Sequence, residues 1–369
     1  MESEYHVKKF YTGSRIIENV CVNTIDNKID DWNKESFDTH KSIEYMIPSF
    51  IDLQIYGAKN SLLMGEPKEK TIKKIYDHNI ESGTFFFQPT IASESKGIIL
   101  KSIDAVKNYI SNGGKGCLGL HIEGPWINPN KKGAHSLKYI NPPIEKDVKE
   151  IIERAEGSIS MITLAPEVVE EKIIKLILDN NIVISIGHSE LSYKNTVEYI
   201  NKGVNAATHL FNAMPSIHHR DKNLTLAILE NDKIFSSIIC DGFHVDFSMI
   251  RLAHKLKRNS LFCITDGVTE SNDEQYSHKF NGKFYENNGI LSGSSVTMHE
   301  SFKNLINKVG LSFNEALEMC CVTPSKVFKN KNLLPLDTNS KNSFNILDKN
   351  LNLIKEFFEN YITQIKTYS

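Results

Sequence analysis

The chain has 369 residues, 40% of them hydrophobic, with 43 basic and 45 acidic side chains and a formal net charge of −2. That balance excludes a role driven by bulk attraction to nucleic acid or to an anionic membrane surface. The length allows a large buried core and more than one domain.

The first residues, Met1 to Lys9, lack the apolar stretch of a secretion signal, and no apolar run is long enough to span a bilayer. The six cysteines include no C-x-x-C pair, and neighbouring Cys320 and Cys321 are awkward to bridge to each other. A reduced, cytoplasmic protein is expected. Residues 1–47 read as short strands and turns: Ile16 to Val22 is β-rich, and Asp26-Asn27-Lys28 is a turn. This segment carries no chemical signal and reads as scaffold.

From Pro48 the rhythm changes. Short β-type runs alternate with amphipathic helical stretches, and each run ends in polar or small residues. The runs start at Phe50, Thr84 and Gly116, then at Ile159, Ile182, Ala206, Phe235 and Leu261. Helical periodicity lies between most of them, as in 169–178 and 192–201. Eight such units over about 280 residues predict a (β/α)8 barrel, whose usual size is about 250 residues. An insertion follows over 269–292, with the hairpin signal Asn281-Gly282. Helical patterns then cover 295–309 and 312–328. The tail reads as strands around a turn at Asp348-Lys349-Asn350. The fold expected is therefore a (β/α)8 TIM barrel over 48–334, plus a small β-sandwich domain formed by both chain ends, 1–47 and 335–369.

Barrels of this kind keep their active sites at the C-terminal ends of the strands. His121, Glu123, His188, His209, His244 and Asp266 all fall there. Gly124-Pro125 stops the third strand just after Glu123, and the loop beyond carries Lys131, Lys132 and His135. Scattered core histidines would not segregate in this way. Two histidines and one carboxylate with an open position form a recognised catalytic zinc arrangement, and Glu123, His188 and His209 supply that set. A divalent ion lowers the pKa of a bound water towards about 7. The reaction then needs a proton acceptor and donor, and Asp266 is placed to serve. Taken alone, Asp266 would read as a helix cap or an Asx-turn; the histidine cluster beside it changes that reading. Arg220, flanked by His218 and His219, suits an anion, since its guanidinium fork matches phosphate. The alternative for it is a solvated loop.

The motifs resemble those of the N-acetylglucosamine-6-phosphate deacetylase family in the amidohydrolase superfamily. The matching strings are 48–52 (PSFID), 121–125 (HIEGP), 131–135 (KKGAH), 185–189 (SIGHS), 207–214 (ATHLFNAM), 241–245 (DGFHV), Thr265-Asp266 and 291–294 (LSGS). They run in family order over nearly the whole chain. The resemblance implies hydrolysis of the N-acetyl group of N-acetylglucosamine 6-phosphate to glucosamine 6-phosphate and acetate. It implies one divalent metal, Zn2+ or Fe2+, on Glu123, His188 and His209, with proton transfer at Asp266. It places substrate contacts at Ala134, His135, Asn212, Ala213, Arg220, His244, Ser292 and Gly293. It also implies a homodimer, in which the counterpart of Arg220 reaches the sugar phosphate of the partner subunit. At the first strand, where superfamily members often carry His-x-His, this chain has Gln54 and Tyr56. That implies a water-mediated metal contact through Gln54 and leaves Tyr56 without a family role, since a phenol is a poor ligand near neutral pH. Two alternatives stand beside this reading. One is a deacetylase of another N-acyl amino-sugar phosphate, such as N-acetylgalactosamine 6-phosphate. The other is a non-catalytic sugar-phosphate binding protein.

Overall fold

The computed structural model describes residues 2–354 except 14, 27, 273–275, 288, 329–332 and 334–342. The domain boundary expected at 335 and the end of the tail therefore lie outside the described residues. Eight parallel strands form the barrel: Phe50–Ile55, Thr84–Ile91, Leu120–Glu123, Ile159–Leu164, Val183–Ile186, Ala206–Ala207, Phe235–Ile239 and Leu261–Ile264. They pair in chain order. These are the eight runs expected from the sequence. Every residue of the fourth strand is buried, as a parallel strand covered on both faces requires.

The eighth strand closes on the first just beyond its end. Asp266 N–H donates to the Gln54 carbonyl at 3.0 Å, and Tyr56 N–H to the Gly267 carbonyl at 2.8 Å. Asp52 reinforces this seam with a side chain, its carboxylate accepting from Thr265 N–H at 3.1 Å and from the Thr265 hydroxyl at 2.5 Å.

Helices cover the outside of the barrel. Glu171–Asp179 buries Ile173, Ile174 and Ile177 on one stripe. Tyr193–Asn201 starts at Ser192, whose hydroxyl accepts from Asn195 N–H. Capping boxes at Thr297/Glu300 and Ser312/Glu315 start the last two helical stretches. The helix expected over 295–309 ends in a π-helical segment, Leu305–Val309, and the one expected over 312–328 is interrupted by another, Glu318–Val322.

Both chain ends build one five-stranded sheet, in the order Phe344–Leu347, Ile43–Pro48, Glu2–Tyr11, Ile16–Ile25, Lys28–Asn33. The pairing of Phe344 with Pro48 and of Leu347 with Tyr45 joins tail to head, as the sequence predicts. Tyr11, Ile47, Leu347 and Leu351 join the barrel's apolar cluster, while Val7, Phe10, Val20, Val22 and Met46 build a separate core within the sheet. The insertion forms the expected hairpin, with Ser277–Phe280 against Tyr285–Asn287 and Gly282 at φ +91°. Among the described residues, no helix is long and apolar enough to cross a membrane.

Candidate metal centre and active site

Glu123 is the last residue of the third strand, while His188, His209 and Asp266 each sit two residues past the end of their own strands. Those three have φ of +49°, +31° and +52°. This left-handed region is costly for side-chain-bearing residues, by about 1–3 kcal/mol each, and such residues cluster at functional sites. Gly124 follows Glu123 at φ +78°, and a Cβ there would lie 2.2 Å from Ser93 Oγ. Only glycine fits that turn.

Three atoms converge at the mouth of the barrel. Glu123 Oε1 lies 3.0 Å from His209 Nε2 and 3.4 Å from His188 Nε2, and the two imidazole nitrogens are 3.1 Å apart. Ligand atoms held about 2.0–2.1 Å from a tetrahedral zinc lie about 3.3 Å from one another, so this triangle has the size of one metal face.

Hydrogen bonds on the far ring nitrogens decide what the three atoms offer. His188 Nδ1 lies 2.7 Å from the Lys131 carbonyl, and His209 Nδ1 lies 3.2 Å from the Asn212 carbonyl. A carbonyl only accepts, so in both neutral rings Nδ1 carries the proton and Nε2 presents a bare lone pair. Two lone pairs and a carboxylate oxygen aimed at one point fit a cation and little else.

His135 is also near Glu123 and His188. It fails the same test: Ser93 N–H donates to its Nδ1 at 3.1 Å, so Nε2 carries the proton and donates to Glu123 Oε2 at 3.0 Å. His135 therefore orients the carboxylate rather than binding the ion. The cluster Glu4, His6 and Cys21 in the small sheet fails likewise, because Asp38 N–H occupies His6 Nδ1 and His6 Nε2 pairs with Glu4 at 3.0 Å.

One amide links the metal triangle to Asp266. Gln54 Nε2 lies 3.0 Å from Glu123 Oε1, 2.7 Å from Asp266 Oδ1 and 2.9 Å from the Tyr56 hydroxyl. The two carboxylates can only accept, which fixes the way the amide faces, and its Oε1 accepts from the Thr208 hydroxyl at 2.6 Å. Gln54 thus touches both carboxylates directly. Tyr56 hydrogen-bonds Glu123 Oε2. Burial acts against the Glu123 charge, but the imidazoles of His188 and His209 beside it and the hydrogen bond from His135 outweigh it and hold the carboxyl well below the usual carboxylate range. Burial pushes Asp266 up, the Glu123 charge adds to that, and His209 opposes it. The two neighbouring carboxylates are thereby separated in basicity, which is how an acid–base residue and a permanent anion are told apart.

The triangle opens into a cavity of about 160 Å³. The expected site residues Glu123, His188, His209 and Asp266 line it, with Ala134, His135, Asn212, Ala213, His244, Ser292 and Gly293. His244 Nδ1 bonds Asp241 at 2.6 Å, and its buried Nε2 has no hydrogen-bond partner. Burial acts against the Asp241 charge, but His244 overcomes it and keeps the carboxyl below its ordinary value. Arg220 is elsewhere, on an exposed loop and outside the lining of this cavity. His121 is fully buried below the site, bonded to Thr163 Oγ1 at 2.7 Å, and burial pushes its pKa down to about 4. It is a neutral barrel-core residue and not a cavity wall.

Tyr276 and His278 also line the cavity, and sequence reasoning did not find them. They belong to the hairpin insertion, outside the strand–helix rhythm that marks the other site residues. Tyr276 donates to the Ser93 carbonyl across the mouth, and His278 Nδ1 lies 3.0 Å from Ser292 Oγ.

Comparison with known proteins gives a consistent picture. Residues 45–359 match the model of the amidohydrolase family. An N-acetylglucosamine-6-phosphate deacetylase of Haemophilus influenzae is 29% identical over 288 residues, 75% of each chain. An N-acetylgalactosamine-6-phosphate deacetylase of Shewanella sp. is 25% identical over 297 residues, covering 78% of this chain and 75% of that protein. The crystal structure of N-acetylglucosamine-6-phosphate deacetylase from Pasteurella multocida superimposes with a TM-score of 0.87 at 27% identity, covering 96% of this chain and 97% of the other.

Proposed function

The chain belongs to the amidohydrolase family, and from that premise we propose that it hydrolyses the N-acetyl group of N-acetylglucosamine 6-phosphate to glucosamine 6-phosphate and acetate. The observation that carries this reading is the triangle of Glu123 Oε1, His188 Nε2 and His209 Nε2, with Asp266 one amide away.

Glu123, His188 and His209 would hold one divalent ion, Zn2+ or Fe2+ by the hardness of the set. Such an ion supplies Lewis acidity and makes water nucleophilic near neutral pH. Asp266 takes a proton from the attacking water and returns it to the leaving amine. Its raised basicity suits both steps. Gln54 donates to Asp266 and Glu123 and holds them in register. His135 holds Glu123 Oε2, and the unpartnered His244 Nε2 offers a contact to the sugar phosphate. Ala134, Ala213 and Gly293 line the cavity in which the acyl sugar would sit. The described chain leaves its cavity without an Arg. In a homodimer the exposed Arg220 of each subunit would reach the phosphate bound by its partner.

Elemental analysis paired with acetate release tests the proposal: about one ion per chain and turnover that chelation abolishes are expected. The Shewanella relative favours one other reading, that the sugar is the galactose epimer. Side-by-side kcat/KM values on the two sugar phosphates separate them. Binding of both without acetate release, at full metal loading, would leave only a sugar-phosphate binding protein.

A further inference from the structure

Tyr56 is 6% exposed, and its hydroxyl lies between Glu123 Oε2 and Gln54 Nε2. The phenol has one proton. Glu123 Oε2, a carboxylate oxygen, can only accept, so the phenol sends its proton there and leaves its oxygen facing the Gln54 amide. His135 Nε2–H donates to the same carboxylate oxygen at 3.0 Å. Oε2 is therefore occupied by two donors, while Oε1 is the atom facing His188 and His209 Nε2.

The other side of the carboxylate is equally full. The two N–H bonds of Gln54 face three acceptors, Tyr56 Oη, Glu123 Oε1 and Asp266 Oδ1, all within 3.0 Å. A second cation seated between Glu123 and Asp266 would meet these protons head-on.

We propose that Tyr56 is a positioning residue: its hydroxyl holds Glu123 as a one-oxygen ligand and, with the Gln54 amide, fills the place a second metal ion would need. The inference rests on the metal centre proposed above and adds its stoichiometry and the residue that enforces it. Without the hydroxyl, Oε2 keeps a single donor, and the carboxylate is free to turn its second oxygen towards the ion.

The test uses the full chain. Wild-type protein loaded with excess Zn2+ and then desalted is expected to carry one ion per chain by elemental analysis. Tyr56→Phe keeps the ring and removes the donor. It is expected to keep its melting temperature within a few degrees while its Zn2+ affinity, measured against a chromophoric chelator, falls about 10–100-fold, the usual effect of losing a group that orients a ligand. Its Co2+-loaded form is expected to show weaker visible absorption than wild type, as Glu123 gains a second contact and the coordination number rises. Equal affinity and an unchanged Co2+ spectrum in Tyr56→Phe would overturn the proposal. Two ions per wild-type chain would overturn it too, whether or not the variant folds. Absence of any tight ion in wild type would instead remove the metal centre itself, so the two failures are distinct.

Discussion

Asp266 and Glu123 are neighbouring carboxylates with different tasks, and substitution separates them. Asp266→Asn keeps the shape and the metal triangle but cannot take a proton. Turnover is expected to fall about 10²–10⁴-fold with metal content unchanged, read by acetate release beside elemental analysis. A third buried carboxylate, Asp52, sits at the barrel seam. Burial pushes its pKa up to about 7 despite donors from Thr265 and Gln54. Its folded pKa thus stands above the unfolded value of about 3.9, and the folded state binds the proton more tightly in between. This contribution to stability is complete below about pH 4 and is lost as pH rises through about 7. Asp52→Asn removes it, so the wild-type advantage over the variant should shrink between about pH 4 and pH 7 in urea unfolding. A pH-independent difference would mean Asp52 does not titrate there. Lys257 shows the opposite economy: it is 1% exposed, and its Nζ donates to the carbonyls of Ile228, Asn231 and Ile234, each at 2.9 Å. Lys257→Met strands three buried acceptors and is expected to cost about 3 kcal/mol or more, seen as a lowered denaturation midpoint.

At the scale of elements, each barrel strand delivers its functional residue at or just past its end, and the backbone must turn sharply there. Gly124 is the tightest case. Gly124→Ala would force a Cβ against Ser93 Oγ at φ +78° and is expected to destabilise the protein by about 2 kcal/mol or more. The displaced Glu123 would weaken metal binding in the same variant, so a loss of stability with unchanged metal affinity would contradict this coupling. The hairpin is the one site element outside the barrel rhythm. It reaches the cavity through Tyr276 and His278 and is tied across the mouth by the Tyr276 hydroxyl on the Ser93 carbonyl. Its Asn-Gly turn is legible in the sequence because Gly supplies the positive φ. Its approach to the cavity is not, since nothing in a hairpin pattern says which way the hairpin folds over.

At the scale of the molecule, the sheet has its own core but packs on the barrel through Tyr11, Ile47, Leu347 and Leu351. Asn345 Nδ2 also donates to the Gly83 carbonyl at 2.8 Å, and Ser49 N–H to the Ser343 carbonyl at 3.1 Å. The two parts are therefore expected to unfold in one calorimetric transition; two resolved transitions would show that these contacts do not couple them.

The sequence alone determined the eight strands, the polar residues at their ends and the types of ligand available, because periodicity and composition are local properties of the chain. The joining of tail to head was legible too, as leftover β patterns at both ends that neither could pair alone. Only the tertiary structure decided which donors meet. Glu123 and His209 are 86 residues apart and come within 3.0 Å because the sheet closes on itself. The tertiary structure also supplies the reason that His209, and not His135, offers a bare Nε2, since a carbonyl beside one ring and an N–H beside the other set where each lone pair points. Tyr56 reads in the sequence as a departure from a ligand pattern. Its place against Glu123 and Gln54 depends on barrel closure, which no local pattern encodes.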